Sequence, residues 1–249
     1  MNSNLTIFDI EISGKDKAQL SLEISDAIKN GIEPLTLACA NPHSLVVSLD
    51  DALFKKALKS TNVLVADGKG VALAGRYVKK HPVERITGFD MFSITMKELE
   101  RLEKSVFFFG SSDLVLNKIA SAVGKDYPGV RLAGVLSPPF GEWSIDENNE
   151  MIERINKEKP DVLWVGMTAP KQEKWVEQNK SKLNVKVIGS IGAVFDFYAG
   201  TKPRAPAWMC SLGIEWLHRL IKEPKRMWKR NFISTPLFLR LLFKESNGK

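Results

Sequence analysis

The sequence predicts an α/β protein: a mostly parallel sheet flanked by helices, followed by a helical, basic C-terminal appendage. Three observations carry that prediction. Short β-rich runs alternate with amphipathic stretches through the first 200 residues. Some of those runs, such as VFFFG and DVLWVG, are apolar, too short for helices and bounded by glycine, as strands buried on both faces should be. After Gly200 the pattern changes to TKPRAP and then to a long stretch rich in Trp, Leu and Arg. Strands alternating with helices at this spacing argue for parallel pairing and covering helices.

Taken in order, residues 5–12 read as the first strand and 15–30 as the helix after it. Residues 35–40 form the second strand and run into Asn41-Pro42-His43, where His43 is a loop or helix-start residue. A helix at 51–59 and a strand at 63–66 follow, then helices at 70–78 and 89–101. The pattern continues with strands at 105–110, 130–134, 161–166 and 185–189, separated by helices at 113–125, 146–158 and 170–181. There is no repeat at a solenoid period and no low-complexity segment. The boundary falls after Thr201: residues 1–201 form the α/β domain and 202–249 the appendage.

The chain has 249 residues, 44% apolar and 26% charged, which is ordinary for a globular protein and excludes collagen-like, disordered and disulfide-stapled classes. Cys39 and Cys210 lack metal-ligand spacing, and His43, His81 and His218 are scattered, so no structural metal is expected. The start MNSNLTIFDIEIS has no basic n-region or apolar h-region, and no window reaches the length of a bilayer span. A cytoplasmic location is the expectation. The net charge of +7 is unevenly placed: residues 1–201 balance to −1, whereas 202–249 hold 11 Lys/Arg against 3 Asp/Glu. Such a segment suits a polyanion, either nucleic acid or an anionic membrane.

In open α/β sheets ligands bind beyond the carboxyl ends of the strands. Those ends here are Asn41-Pro42-His43, Asp67-Gly68-Lys69-Gly70, the run from Gly166 to Glu173, and the run from Gly189 to Asp196. Neither G-x-G-x-x-G after a strand nor G-x-x-x-x-G-K-[ST] is present, which argues against a nicotinamide enzyme or a P-loop NTPase. The Gly189-x-x-Gly192 turn either lets a helix pack closely on a strand or offers N–H groups to a phosphate or uracil edge. Asp67 is either a turn or N-cap aspartate or a general base projecting into a cleft. Pro170-Lys171-Gln172-Glu173 reads first as a helix start, with Gln172 solvated and Glu173 favouring the dipole. Asp196 and Glu215 could be structural, through capping or an Arg pair. Cys39 reads as a buried inert thiol, and Trp143, Trp164 and Trp175 as core or rim residues.

Several segments together resemble one family. They are Asn41-Pro42, Ala66-Asp67-Gly68, ERITGFD from Glu84, PKQE from Pro170, GAVFD from Gly192, GTKPRAP from Gly200, and EWLHRLIKEPKR from Glu215. In this order they resemble the WecG/TagA/CpsF family of bacterial glycosyltransferases over about residues 35 to 230. The resemblance implies a Rossmann-like domain with a C-terminal appendage, and transfer of a sugar from a UDP-sugar to a lipid-linked acceptor during cell-surface polymer synthesis. It implies Asp67 as catalytic base, Gln172 in the donor pocket, and Arg85, Arg219 and Arg226 at the active site. Asn41 belongs to the family's Thr-x-Asn segment. Cys39 stands where many members carry that threonine, and a thiol is a weak donor.

Inverting transfer needs a base for the acceptor hydroxyl while UDP leaves from the opposite face. The chain has no D-x-D pair to hold a metal; Asp9-Ile10-Glu11 comes nearest and lies in the first strand. Forked arginine donors can take the diphosphate's charge instead. No cofactor is expected, and the donor set reads as Asn41, Arg85, Gln172, Gly189, Gly192, Asp196, Arg219 and Arg226, with Cys39 as a further contact. The tail interleaves Trp and Leu with Lys and Arg, and its stretch FISTPLFLRLLF, broken by Pro236 and Arg240, can lie in an interface but not span a bilayer. It reads either as a helix on the core or as a peripheral contact with an anionic membrane, on the inner face of the cell membrane, where a polyprenyl-diphosphate-linked acceptor would sit. On the second reading residues 234–249 are dispensable for transfer to a soluble acceptor. Two competitors remain. One is a nucleic-acid-binding module, which leaves Asp67 and PKQE without a role, so nucleic acid is not the expected partner. The other is a soluble enzyme whose tail is an oligomer contact, which keeps a homo-oligomer open.

Overall fold

The computed structural model describes residues 4–206, 208–209 and 214–247. Six parallel strands form the main sheet: β3 (Leu35–Ala40), β4 (Val63–Ala66), β5 (Ser105–Gly110), β6 (Arg131–Leu136), β7 (Val162–Gly166) and β8 (Val187–Ser190), in the spatial order β4-β3-β8-β7-β5-β6. Successive side chains of a strand point to opposite faces, and the core divides accordingly. Val106, Phe108, Val162 and Trp164 pack with α1 (Lys17–Asn30), α5 (Gly88–Arg101) and α6 (Asp113–Asp126) on one face. Phe107, Phe109, Leu163 and Val165 pack with α7 (Ile145–Lys157) and α8 (Lys171–Asn179) on the other. Trp164 and Trp175 are core residues, whereas Trp143 lies at the rim of the cleft described below.

The first predicted strand is not part of this sheet. Residues 5–12 form an antiparallel hairpin, β1 (Leu5–Ile7) and β2 (Ile10–Ile12), turning at Phe8 and Asp9, both at positive φ. No Asn-Gly or Gly marks that turn, but the buried set 5, 7, 10, 12 changes phase at its middle, which a single strand would not do. The hairpin covers the open edge of β4, where Ser13 N–H donates to Leu64 O at 2.8 Å. That edge would otherwise present unpaired backbone groups.

Among the described residues, two helices of the α/β domain have no counterpart in the prediction from sequence. Asn41 caps α2 (Pro42–Asp50) by accepting from Ser44 N–H, and Pro42 opens the helix. The other is the short α9 (Val194–Tyr198). The remaining helices keep their predicted places: α3 (Ala52–Lys59), and α4 (Lys69–Leu73), which continues as a π turn over Ala74–Val78.

After α9, Lys202, Arg204 and Ala205 line the cleft at the carboxyl ends of the strands. The chain then forms α10 (Glu215–Lys222), α11 (Pro224–Trp228), a π turn over Lys229–Ser234 and α12 (Thr235–Asn247). Helix α12 packs on the α/β domain. Phe238 and Leu242 are fully buried in the cluster formed by the hairpin, α2, α3 and β4, and Phe238 meets Phe8 edge-on at 5.8 Å. Lys79 pairs with Glu245 at 3.0 Å, and His43 Nδ1 lies 2.8 Å from Ser234 Oγ. Pro236, predicted to break the helix, lies in the first turn of α12 directly after the π turn, and the helical path continues through it. Among the described residues no helix is long and apolar enough to cross a membrane.

Candidate active site

A cleft of about 1070 Å³ opens at the carboxyl ends of β3, β4, β5, β7 and β8, lined on its other side by Lys202, Arg204, Glu215 and Arg219. Asp67 is placed by the end of β4: its N–H donates to Ala40 O at 2.8 Å, which carries the β3–β4 pairing one residue past the strand. Arg85 is placed by the same edge. It forms a parallel bridge with Ala66, and Ile86 N–H donates to Ala66 O at 3.1 Å. The rest of ERITGFD starts α5, since Thr87 and Asp90 form a reciprocal capping box.

Helix α10 brings a carboxylate and a guanidinium to this edge from the other side. Glu215 Oε2 lies 2.5 Å from Arg85 Nη2, and its Oε1 lies 4.0 Å from Arg204 Nη2. Arg219, one turn along the helix, sits over the Phe197 ring at 5.7 Å, and Arg204 over Phe89 at 4.0 Å. Lys202 bridges Asp196 at 2.9 Å and Glu223 at 3.3 Å. Part of Asp67 still faces the cleft, but the protein packed around its carboxyl removes enough water to push its pKa up to about 6. Arg85 opposes that rise, Glu215 adds to it, Arg219 opposes it and Asp90 adds to it. An aspartate poised near neutrality in a cleft is suited to taking a proton.

The opposite wall comes from β7–α8 and β8–α9. A cis bond joins Ala169 to Pro170, and α8 starts at Lys171. Gln172 is 5% exposed rather than solvated. Its Oε1 accepts from Gly192 N–H at 3.0 Å, and its Nε2 donates to Glu173 Oε1 at 2.8 Å. Gly192 has φ +40, and a Cβ there would stand 3.1 Å from Met167 O and 3.3 Å from Gln172 Oε1. Glu173 is buried too, and the lost hydration pushes its carboxyl above the usual range against the pull of Gln172 and Arg230. Its Oε2 accepts no hydrogen bond among the described residues. At the rim, Lys171 Nζ stands 3.9 Å from the Trp143 ring centroid.

The cleft therefore gathers Cys39, Asn41, Asp67, Arg85, Gln172, Gly192, Asp196 and Arg219 from the sequence-derived set. Gly189 is a correction: it does not line the cleft but lies under Trp164, where a Cβ would fall 1.9 Å from the indole. Asn41 spends its carboxamide oxygen on capping α2. The Cys39 thiol is raised by burial first and then by the charges of Asp67, Glu173 and Asp90, so it stays protonated. The side chain of Arg226 and the whole of Cys210 lie outside the described residues. In the sequence Glu173 reads only as favouring the helix dipole, and neither Lys202 nor Arg204 is singled out. The only available signal was their place within the motif segments.

An open parallel sheet with a basic cleft along its carboxyl edge is the ground plan of a ligand-binding α/β enzyme. Residues 5–249 match the model of the Glycosyl transferase WecG/TagA/CpsF family, and the chain belongs to that family: it is a glycosyltransferase. It is similar to the N-acetylglucosaminyldiphosphoundecaprenol N-acetyl-beta-D-mannosaminyltransferase of Bacillus subtilis (strain 168), with 28% identity over 249 residues, which is 100% of this chain and 90% of that one. The protein of the same description from Bacillus spizizenii (strain ATCC 23059 / NRRL B-14472 / W23) is 26% identical over 85% of this chain and 80% of its own. That from Staphylococcus aureus (strain MRSA252) is 29% identical over 82% and 78%.

Proposed function

We propose that this enzyme moves a sugar, of N-acetylmannosamine type or another hexose, from a UDP-sugar to a polyprenyl-diphosphate-linked sugar, with inversion and without a metal. The product would serve bacterial cell-surface polysaccharide or teichoic acid synthesis. The observation that carries this reading is Asp67, raised to about 6 and set between Arg85, Glu215 and Arg219 in the cleft. The carboxylate takes the proton of the acceptor hydroxyl, the oxygen attacks the anomeric carbon, and the bond to the UDP oxygen breaks on the opposite face. Arg85 and Arg219, with Lys202 and Arg204 at the rim, take up the charge that develops on the departing diphosphate. The substrates named for the relatives support the choice of acceptor. A donor screen against a synthetic polyprenyl-diphosphate-GlcNAc acceptor, with NMR of the product's anomeric configuration, tests the reading. Absence of transfer from every UDP-sugar, or retention of configuration, overturns it.

Metal independence gives a separate expectation. Transfer should survive exhaustive EDTA treatment, and Arg219→Ala should lower turnover without unfolding the chain. A complete loss in EDTA that Mn²⁺ or Mg²⁺ restores would sink the arginine-based account.

The lipid-linked acceptor also calls for a surface that meets a membrane. Trp208, Trp228, Phe232 and Ile233 are each about half exposed, within a segment of net charge +8. Apolar rings beside basic side chains suit an anionic interface. Binding to liposomes should rise with anionic lipid content and fall with added salt. Binding that ignores both would remove the membrane from this account.

A further inference from the structure

Glu215 stands outside the catalytic set assigned above, yet it makes the shortest described ionic contact between α10 and the catalytic edge. Its Oε2 lies 2.5 Å from Arg85 Nη2, and both side chains are about one quarter exposed. Arg85 is fixed at the backbone by its bridge to Ala66, the residue before Asp67. Its guanidinium meets Glu215 directly, and an ion pair of this kind limits the rotamer freedom of a long side chain at a cleft mouth. Glu215 is thus one of the groups that hold it. From the first turn of α10 it places Arg219 one turn further along the same helix, and its second oxygen faces Arg204 at 4.0 Å.

From this geometry we infer that Glu215 is a positioning residue, which aims the Arg85 guanidinium beside Asp67 and thereby makes the catalytic edge complete only when α10 is docked. It acts through Arg85 and has no contact of its own with the reacting atoms. The inference rests on Asp67 being the base of the proposed transfer. It has an electrostatic consequence. The groups that act on Asp67 are Arg85 and Arg219, which lower its proton affinity, and Glu215 and Asp90, which raise it. Taking the charge from Glu215 removes one raising group, but it also releases the Arg85 guanidinium, whose lowering influence on Asp67 is the larger of the two. Loss of the aimed Arg85 therefore raises the Asp67 pKa, whereas loss of the Glu215 charge with Arg85 unmoved would lower it.

The test uses the full-length chain. Asp67 is titrated by carboxyl ¹³C NMR, and the pH profile of kcat/KM for the UDP-sugar is recorded, in wild type, Glu215→Gln and Glu215→Asp. Wild type should titrate near 6. Glu215→Gln should titrate at higher pH, and its kcat/KM should fall roughly ten- to a hundredfold, as for loss of a charge-assisted hydrogen bond. Glu215→Asp keeps the charge but draws it back by one methylene. It should hold the midpoint near the wild-type value and still lose more than about threefold in kcat/KM. A midpoint in Glu215→Gln that is unmoved or falls, or kcat/KM within about threefold of wild type in either variant, overturns the inference. If Glu215→Gln fails to fold, the Asp variant decides by the same criterion. The titration needs no substrate, so a wild-type chain inactive towards every UDP-sugar would overturn the donor reading while the midpoint shift still judged Glu215.

Discussion

Asp67→Asn is expected to lower turnover by about 10²–10⁴ while leaving the fold intact. The carboxamide is nearly isosteric with the carboxylate but cannot accept the acceptor's proton. Turnover within about threefold of wild type would remove Asp67 from the role of base. The same substitution should change stability in the opposite sense to activity. Asp67 binds its proton more tightly in the folded chain, near 6, than at its ordinary value of 3.8. Its protonated form therefore stabilises the fold at low pH, and that contribution is lost as pH rises from about 4 through 6. Above pH 7 the ionised carboxylate costs about 1–2 kcal/mol, allowing for its partial exposure to the cleft. Asp67→Asn should accordingly be more stable than wild type in urea at pH 8 and no more stable at pH 3. Equal gains at both pH values would mean that the carboxylate is not held in the ionised state at a cost. The activity of the wild type should fall as pH drops through 6, for the same reason.

The parts of this architecture that were legible in the sequence are those governed by local pattern. Strands β3, β4 and β5 match their predicted limits because each is a short apolar run between turn residues, and its two faces are both buried. The hairpin looks like one strand in the sequence because Phe8 and Asp9 adopt positive φ without the glycine or asparagine that usually signals it. Helix α2 was missed although Asn41-Pro42 is a strong start, because its apolar residues fall in a short, weakly periodic run. The motif segments located Asp67, Arg85, Gln172 and Arg219 at one cleft, since strand ends gather on one edge of a parallel sheet. What the sequence could not show was partnership across the chain. Glu215 and Arg85 are 130 positions apart, and only the docking of α10 reveals that they meet. Burial of Glu173 was equally hidden, because PKQE at a helix start reads as solvated until the wall of Gly192 and Arg230 is in place.

Phe238→Ala is expected to destabilise the chain by about 3–5 kcal/mol, lowering the melting temperature by roughly 10 °C. Phe238 is fully buried among the hairpin, α2 and β4, with Phe8 edge-on against it, so its removal leaves a cavity that the surrounding strands cannot easily fill. This changes what a truncation can say. Deleting residues 234–249 looks, from sequence, like removal of a membrane anchor that should spare transfer to a soluble acceptor. In the folded chain that deletion strips Phe238 and Leu242 from the core, and with them the Lys79–Glu245 pair and the His43–Ser234 contact. Helices α10 and α11 then lose the support that follows them, and α10 carries Arg219 and Glu215. Phe238→Ala should therefore reduce transfer to a soluble acceptor together with stability. By contrast, Trp228→Ser, at an exposed position, should change stability by no more than about 0.5 kcal/mol. The Trp228 variant should weaken liposome binding while keeping soluble-acceptor transfer near wild type. The two substitutions thus separate the buried side of the appendage, which holds the active site together, from its exposed side, which faces the proposed membrane. If Phe238→Ala melts with wild type and transfers normally, the buried face of α12 does not support the cleft.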